Sequence, residues 1–162
     1  MSIPMPIIKP LPIDTKGRSW WLKVWLVLTS ARKYQLAADW VFVLPDNRIA
    51  VIPAGFIMDG ASTPKFLWGI LDPMGVLLLQ GIVHDFGYRF DYLLIYDPAT
   101  TTITRQNIGA GQKYWDCLFY SIGIHLTDLK FTGIMSYYML RLFGGIAWRG
   151  NRKLNESNID IL

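Results

Sequence analysis

A histidine and an aspartate, His84 and Asp85, stand side by side within the otherwise apolar segment GIVHDFGYRF. Tyr88 follows four residues after the histidine, so a helix would place His84 and Tyr88 one turn apart on one face and turn Asp85 away by about 100°. There the histidine can take a proton from water, the aspartate can hold a cation, and the tyrosine hydroxyl can fix a partner of the histidine. The segment predicts acid-base chemistry, and a buried structural hydrogen-bond network is the alternative that the residues alone leave open.

A second charge in apolar surroundings is Asp116, within the segment QKYWDCLFY. A bare carboxylate among aromatic and aliphatic side chains is energetically costly, so it needs a partner. A histidine that acts as a base also needs a group that sets its tautomer and steadies the imidazolium, usually a carboxylate. We therefore expect His84 and Asp116 to face each other within hydrogen-bonding distance.

The elements that must position these residues follow from the pattern of apolar residues and breakers. The segment at residues 19–29, SWWLKVWLVLT, is rich in tryptophan and valine and predicts a strand. The segments DWVFVL and RIAVIPAGF flank the turn formers PDN, which predicts a hairpin turning at Pro45 to Asn47. The first half of the chain thus favours an antiparallel sheet.

Helix signals dominate after Phe56, because Ser or Thr followed by Pro, and Asp followed by Pro, are typical of helix starts. The expected helices are STPKFLWGIL (62–71), residues 73–92, residues 105–124, and a last one that starts near Thr127 or Asp128 and ends at Gly144 and Gly145. Residues 96–104 predict a loop or short hairpin. The expected fold class is α+β, with an N-terminal antiparallel sheet packed on three or four helices and the site between the 73–92 and 105–124 helices.

The length of 162 residues predicts one domain, which we place at residues 19–150 between an N-terminal arm (1–18) and a polar C-terminal tail (151–162). Hydrophobic residues make up 52% of the chain, yet each apolar run is cut short by charged residues or proline, so no transmembrane helix is expected. Four prolines in the first 17 residues argue against a signal peptide. The net charge of +4 mildly favours anionic partners, but without a dense basic run we expect no specific nucleic acid.

The single cysteine, Cys117, excludes an intramolecular disulfide and a cysteine-based zinc cluster. Its apolar neighbours predict a buried, inert thiol rather than a nucleophile served by His84. A zinc or two-metal phosphohydrolase is also a weaker hypothesis, because it needs more ligands than His84, Asp85 and His125 provide.

The ordered segments FIMDGASTP, VHDFGY, YWDCLFY and YYMLRLFGGIAW resemble domain of unknown function 1353, a family of tailed phages, prophages and bacteria. The resemblance covers about residues 39–149. The His-Asp-x-x-Tyr element with a later helical aspartate also resembles the active site of phospholipase A2 and of the related domain in parvovirus capsids. The resemblance implies a phospholipase A2-like helical core.

Carried onto this chain, the resemblance implies that His84 is the base, that Tyr88 and Asp116 orient it, and that Asp85 binds calcium. Calcium would polarise the ester carbonyl and stabilise the oxyanion. The glycine-rich calcium loop of phospholipase A2 is not recognisable here, and the segment FIMDGAST is the substitute, where Asp59, Gly60 and Ser62 offer oxygens.

The function implied is a phage or prophage virion-associated protein, assembled in the bacterial host cytoplasm, that hydrolyses host membrane phospholipid with calcium. Its partners would be other virion or tail proteins and the host phospholipid. The alternative is a non-catalytic structural component of a phage tail or ejection apparatus, in which the histidine and carboxylates form a buried polar network.

Overall fold

The computed structural model describes residues 4–13, 16–23, 33–59 and 77–154. In these ranges the chain forms two antiparallel sheets, in the strand orders β1-β2-β5 and β3-β4-β6-β7. The strands are β1 (Ile8–Pro10), β2 (Lys33–Leu36), β3 (Trp40–Val43), β4 (Ile49–Ile52), β5 (Ile57–Asp59), β6 (Leu93–Asp97) and β7 (Thr102–Gln106). The long helices in these ranges are α1 (Leu78–Phe90), α2 (Gln112–Thr127) and α3 (Lys130–Leu154). In the chain, α1 lies between β5 and β6, and α2 and α3 follow β7. The fold is mixed α+β, as predicted.

The hairpin predicted at Pro45 to Asn47 joins β3 to β4, and that prediction is confirmed. The Leu44 N–H donates to the Arg48 carbonyl at 2.8 Å, and Asn47 adopts a left-handed φ of 66° that asparagine tolerates. Residues 96–104 form the second predicted hairpin, in which β6 pairs with β7. Both turns lie where the sequence has its turn-forming residues.

The predicted N-terminal placement of the sheet is not confirmed, because β6 and β7 come after α1 and complete the second sheet. The predicted N-terminal arm also contributes, since β1 pairs with β2 and the Trp40 indole donates to the Pro4 carbonyl at 2.7 Å. The predicted strand at 19–29 is helical at residues 20–23, where the neighbouring rings of Trp20 and Trp21 contact each other edge to face. Tryptophan and valine are common in strands, but this preference depends on how their side chains pack. The rest of that segment lies outside the described residues.

The helices keep their predicted order but not all of their predicted ends. The start predicted for the 73–92 helix lies outside the described residues, and its end comes at Phe90, where Asp91 takes a left-handed φ of 57°. The predicted 105–124 helix begins only at Gln112, because Asn107, Gly109 and Gly111 all have positive φ angles that a helix cannot contain. The helix predicted at 62–71 is not among the described parts of the chain.

The last helix does not end at Gly144 and Gly145, where the sequence predicted its C-terminus, but continues to Leu154. A Cβ on Gly144 would lie 2.6 Å from the Tyr88 hydroxyl, so this glycine permits a close approach of α3 to α1 instead of ending a helix. No helix in the described ranges has the length and apolar character needed to cross a membrane.

The main core cluster joins both sheets to α1 and α2. It includes Phe42 and Ile52 from the second sheet, Ile82 and Phe86 from α1, and Trp115 from α2. The Asp91 carboxylate ties α1 to α2, because its Oδ1 atom accepts from the Trp115 indole at 2.8 Å and from the Gly111 N–H at 3.0 Å. The two helices that carry His84 and Asp116 are thereby fixed at their ends.

Substitution of Gly87 tests how tightly α1 and α2 are packed. A Cβ at this position would meet the Trp115 ring at 2.4 Å, so Gly87→Ala should lower the free energy of unfolding by about 1–3 kcal/mol. Gly81 on the same helix has open space around its Cβ position, and Gly81→Ala should raise the free energy of unfolding by about 0.5–1 kcal/mol. Urea unfolding of both variants measures the difference, and equal effects would contradict the packing described.

Candidate functional site

Three of the predicted site residues meet between α1 and α2. The His84 Nε2 atom lies 3.1 Å from Asp116 Oδ1, which confirms the predicted proximity of these two residues. The Tyr88 hydroxyl donates to the same carboxylate oxygen at 2.5 Å. The rings of His84 and Tyr88 are also in contact, with centroids 3.9 Å apart, as expected for residues one helical turn apart. One carboxylate oxygen thus holds both side chains.

Arg141 is a member of this site that the sequence reasoning missed. Its Nη1 atom donates to Asp116 Oδ2 at 2.9 Å, so the second carboxylate oxygen is also bonded. The signal for it was its position as a lone charge within the apolar run YYMLRLFGGIAW, the same kind of signal that identified Asp116. Arg141 brings α3 into the site, which therefore depends on three helices.

The two nitrogen atoms of the His84 ring face carboxylates that differ in burial. The side chain of His84 is 5% exposed, that of Asp116 is 0% exposed, and that of Asp85 is 22% exposed. The Nε2 atom faces the fully buried Asp116, while the Nδ1 atom lies 3.8 Å from Asp85 Oδ1, beyond hydrogen-bonding distance. The Nδ1 side of the imidazole therefore points toward the less buried carboxylate.

Burial and neighbouring charges shift the pKa values of the residues in this site. Burial alone would favour a neutral acid, but hydrogen bonds from His84, Tyr88 and Arg141 outweigh it and lower the pKa of Asp116. Burial also opposes the imidazolium, but Asp116 and Asp85 outweigh it and raise the pKa of His84 above its ordinary 6.5. Burial and the Asp116 charge raise the pKa of Tyr88, so its hydroxyl stays protonated and donates.

These protonation states determine the tautomer of His84. An ionised carboxylate can only accept hydrogen bonds, so the imidazole atom that faces Asp116 must carry a proton. The neutral histidine then has N–H at Nε2 and a free lone pair at Nδ1. The arrangement can accept a proton at Nδ1 and can stabilise the resulting imidazolium between two carboxylates.

The predicted metal ligands lie only partly among the described residues, so their arrangement as a set stays a prediction. Asp85 is next to His84, Asp59 is the last residue of β5, and Gly60 lies outside the described residues. Across the described ranges, no group of three or more His, Cys, Asp or Glu residues could hold a metal ion. At the motif these parts of the chain supply the carboxylate of Asp85, and a calcium site would need further oxygen ligands beside it.

Two other predictions concern residues near the site. Cys117 is exposed and not buried as predicted, because it follows the buried Asp116 on α2 and is turned about 100° from it around the helix axis. His125, the second histidine, is also exposed on α2 and is not part of the cluster around Asp116. This residue therefore offers a matched control for substitutions of His84.

The raised pKa of His84 predicts a pH-dependent contribution to stability. A histidine whose folded pKa exceeds its unfolded value stabilises the fold fully below about pH 6.5, and that contribution is lost as the pH rises through the folded pKa. The difference in free energy of unfolding between wild type and His84→Gln should therefore be larger at about pH 5.5 than at about pH 9. Urea unfolding at both pH values measures it.

The control for this experiment is His125→Gln, which removes an exposed histidine from α2. The Asp116 carboxylate, which accepts from His84, has a lowered pKa and so stays ionised over this pH range. The electrostatic account would be contradicted if the loss of unfolding free energy caused by His84→Gln grew with pH. It would also be contradicted if His125→Gln caused the same loss.

Comparison with family models identifies the family of this chain. A model of the family described as "Protein of unknown function (DUF1353)" matches residues 34–122, which include most of β2, all of β3 to β7, α1 and most of α2. Neither the curated protein sequences nor the solved structures gave a match. Since the matched residues are more than half of the 162-residue chain, the protein belongs to the DUF1353 family.

Proposed function

We propose that this protein is a phage or prophage virion-associated hydrolase with a phospholipase A2-like site that cleaves ester bonds of host membrane phospholipid. The observation that carries the proposal is the arrangement of His84, Tyr88 and Asp116, in which an ionised, buried carboxylate holds Nε2 of the histidine. Site residues inferred from the phospholipase A2 resemblance thus lie in one hydrogen-bonded cluster. This geometry supports water activation by His84.

In the proposed reaction, His84 Nδ1 accepts a proton from water while the water oxygen forms a bond to the ester carbonyl carbon. The imidazolium that forms is stabilised by Asp116 at Nε2 and by the nearby charge of Asp85. When the ester C–O bond breaks, the proton passes from Nδ1 to the departing alcohol oxygen. The products are a fatty acid and a lysophospholipid, and the histidine returns to its neutral form.

Tyr88 and Arg141 act in this scheme as positioning residues. The hydroxyl of Tyr88 and the guanidinium of Arg141 satisfy the Asp116 oxygens, so the carboxylate stays ionised despite its burial. A fixed carboxylate keeps His84 in one tautomer and one orientation. The base is thus prepared before a substrate arrives.

Calcium at Asp85 remains part of the proposal, with Asp59 and Gly60 as its further predicted ligands. A calcium ion bound there would supply charge that polarises the ester carbonyl. None of the proton transfers assigned to His84 depends on it. Assays with calcium and with a chelator therefore separate the metal prediction from the histidine prediction.

The second candidate function is a structural role in a phage tail or ejection apparatus. It is favoured by the bonding of Asp116, because donors from α1 and α3 reach the two oxygens of a carboxylate on α2. Such a buried network stabilises the arrangement of three helices whether or not chemistry takes place. The partners would be other virion or tail proteins.

Release of fatty acid from phospholipid vesicles by the full-length protein tests the proposal. The substitution His84→Asn should lower the rate about 100-fold or more, because it removes the group that accepts the proton. His125→Asn, the matched control on α2, should leave the rate unchanged. The measurement is made with calcium and with a chelator.

Two outcomes would contradict a catalytic role. One is that the wild-type protein releases no fatty acid under either condition, and the other is that His84→Asn and His125→Asn have equal rates. If His84→Asn at the same time unfolds more readily than wild type, the structural role is supported instead. Circular dichroism of each variant shows that a lost rate is not simply a lost fold.

A further inference from the structure

The outward side of α3 carries large apolar side chains where a solvated helix normally carries charge. These side chains are 45% to 75% exposed and recur every three or four residues, which places them along one side of the helix. They are Phe131, Ile134, Tyr138, Leu142 and Ile146. We call this set the α3 stripe, and it extends about 22 Å along the helix at 1.5 Å per residue.

The opposite side of the same helix is already used by the fold. Ser136 is buried, Gly144 lies against the Tyr88 hydroxyl, and Arg141 bonds to Asp116. The α3 stripe therefore faces away from the core, and no described part of the chain buries these side chains. A contiguous exposed apolar face of this length marks an interaction surface.

The charges of α3 indicate which partner fits the stripe. The helix contains five basic residues and no aspartate or glutamate between Lys130 and Leu154. The basic residues are Lys130, Arg141, Arg149, Arg152 and Lys153. Arg141 and Arg152 face Asp116 and Asp91, but Lys130 and Arg149 have no acidic residue on α3 beside them. Two copies of this chain that paired through the stripe would bring two such basic helices together, which disfavours self-association.

A depression at the C-terminal end of the stripe combines apolar and cationic groups. It has a volume of about 490 Å³ and is lined by Ile146, Trp148, Arg149, Gly150 and Arg152. The Arg152 guanidinium lies over the Trp148 ring at 5.5 Å from its centroid, with its Nη1 atom 4.0 Å from Asp91 Oδ2, and Arg149 is the second cation of the depression. Guanidinium groups beside an aromatic ring suit a phosphate-bearing headgroup.

We infer that α3 docks onto the surface of an anionic phospholipid bilayer through the α3 stripe. The apolar side chains enter the boundary between headgroups and acyl chains, and the depression around Arg149 and Arg152 receives a lipid phosphate. A surface helix that combines large exposed apolar side chains with neighbouring basic side chains lies in the plane of such a surface. The inference deepens the proposed function. It rests on that function in taking the bound phospholipid to be the substrate.

Vesicle flotation of the full-length protein tests the docking. Phosphatidylcholine vesicles that contain phosphatidylglycerol should bind the protein, and vesicles of phosphatidylcholine alone should bind it more weakly, because they lack the net negative charge. The substitution Ile146→Asn should weaken binding about tenfold, since it removes an apolar side chain from the membrane boundary. Ile108→Asn is the matched control, because Ile108 is 72% exposed and Ile146 is 75% exposed.

A charge variant provides a second and independent measurement. Arg149→Gln should weaken binding to the anionic vesicles about fivefold, while Lys9→Gln, an exposed lysine on β1, should leave it unchanged. Equal binding to both kinds of vesicle, or equal effects of Ile146→Asn and Ile108→Asn, would overturn the inference. So would a dimer in solution that Ile146→Asn dissociates, because a second copy would then cover the stripe.

The test distinguishes docking from catalysis. Flotation is repeated with His84→Asn, which lacks the proposed base but keeps the whole α3 stripe. Binding equal to wild type is expected, and it stands even if no fatty acid is ever released. Loss of binding in this variant while it remains folded would overturn docking through α3 alone.

Discussion

The burial of one charge, the Asp116 carboxylate, is the constraint on which the arrangement of the helices depends. A carboxylate that is 0% exposed is tolerated only when its oxygens accept strong hydrogen bonds. Those bonds come from two other helices, through His84 and Tyr88 of α1 and Arg141 of α3. The relative positions of three helices and the protonation state of His84 therefore have a common cause.

Small residues allow the helices to come close enough to satisfy this charge. Gly87 leaves room for the Trp115 ring between α1 and α2, and Gly144 leaves room for the Tyr88 hydroxyl between α1 and α3. Larger side chains at either position would push apart the helices that carry the site. The division of α3 into a side that holds Asp116 and a side that remains exposed follows from the same packing.

The sequence could predict the parts of the structure that depend on local pattern. A charge within an apolar segment pointed to the pairing of His84 with Asp116, and turn-forming residues located the hairpin at Pro45 to Asn47. Contacts between distant residues could not be predicted, which is why Arg141 was missed and why Gly144 was interpreted as a helix end. The late start of α2 depends on positive φ angles at single residues, which periodicity does not reveal.

The central claim is that Asp116 fixes His84 as a base with its proton on Nε2 and its lone pair on Nδ1. The most direct test is a pH titration of the ¹⁵N-labelled histidine side chains by NMR, with His125→Asn used to assign the His84 signals. The account predicts the Nε2–H tautomer for neutral His84 and a pKa above 6.5. An Nδ1–H tautomer, or a His84 pKa below that value, would contradict it.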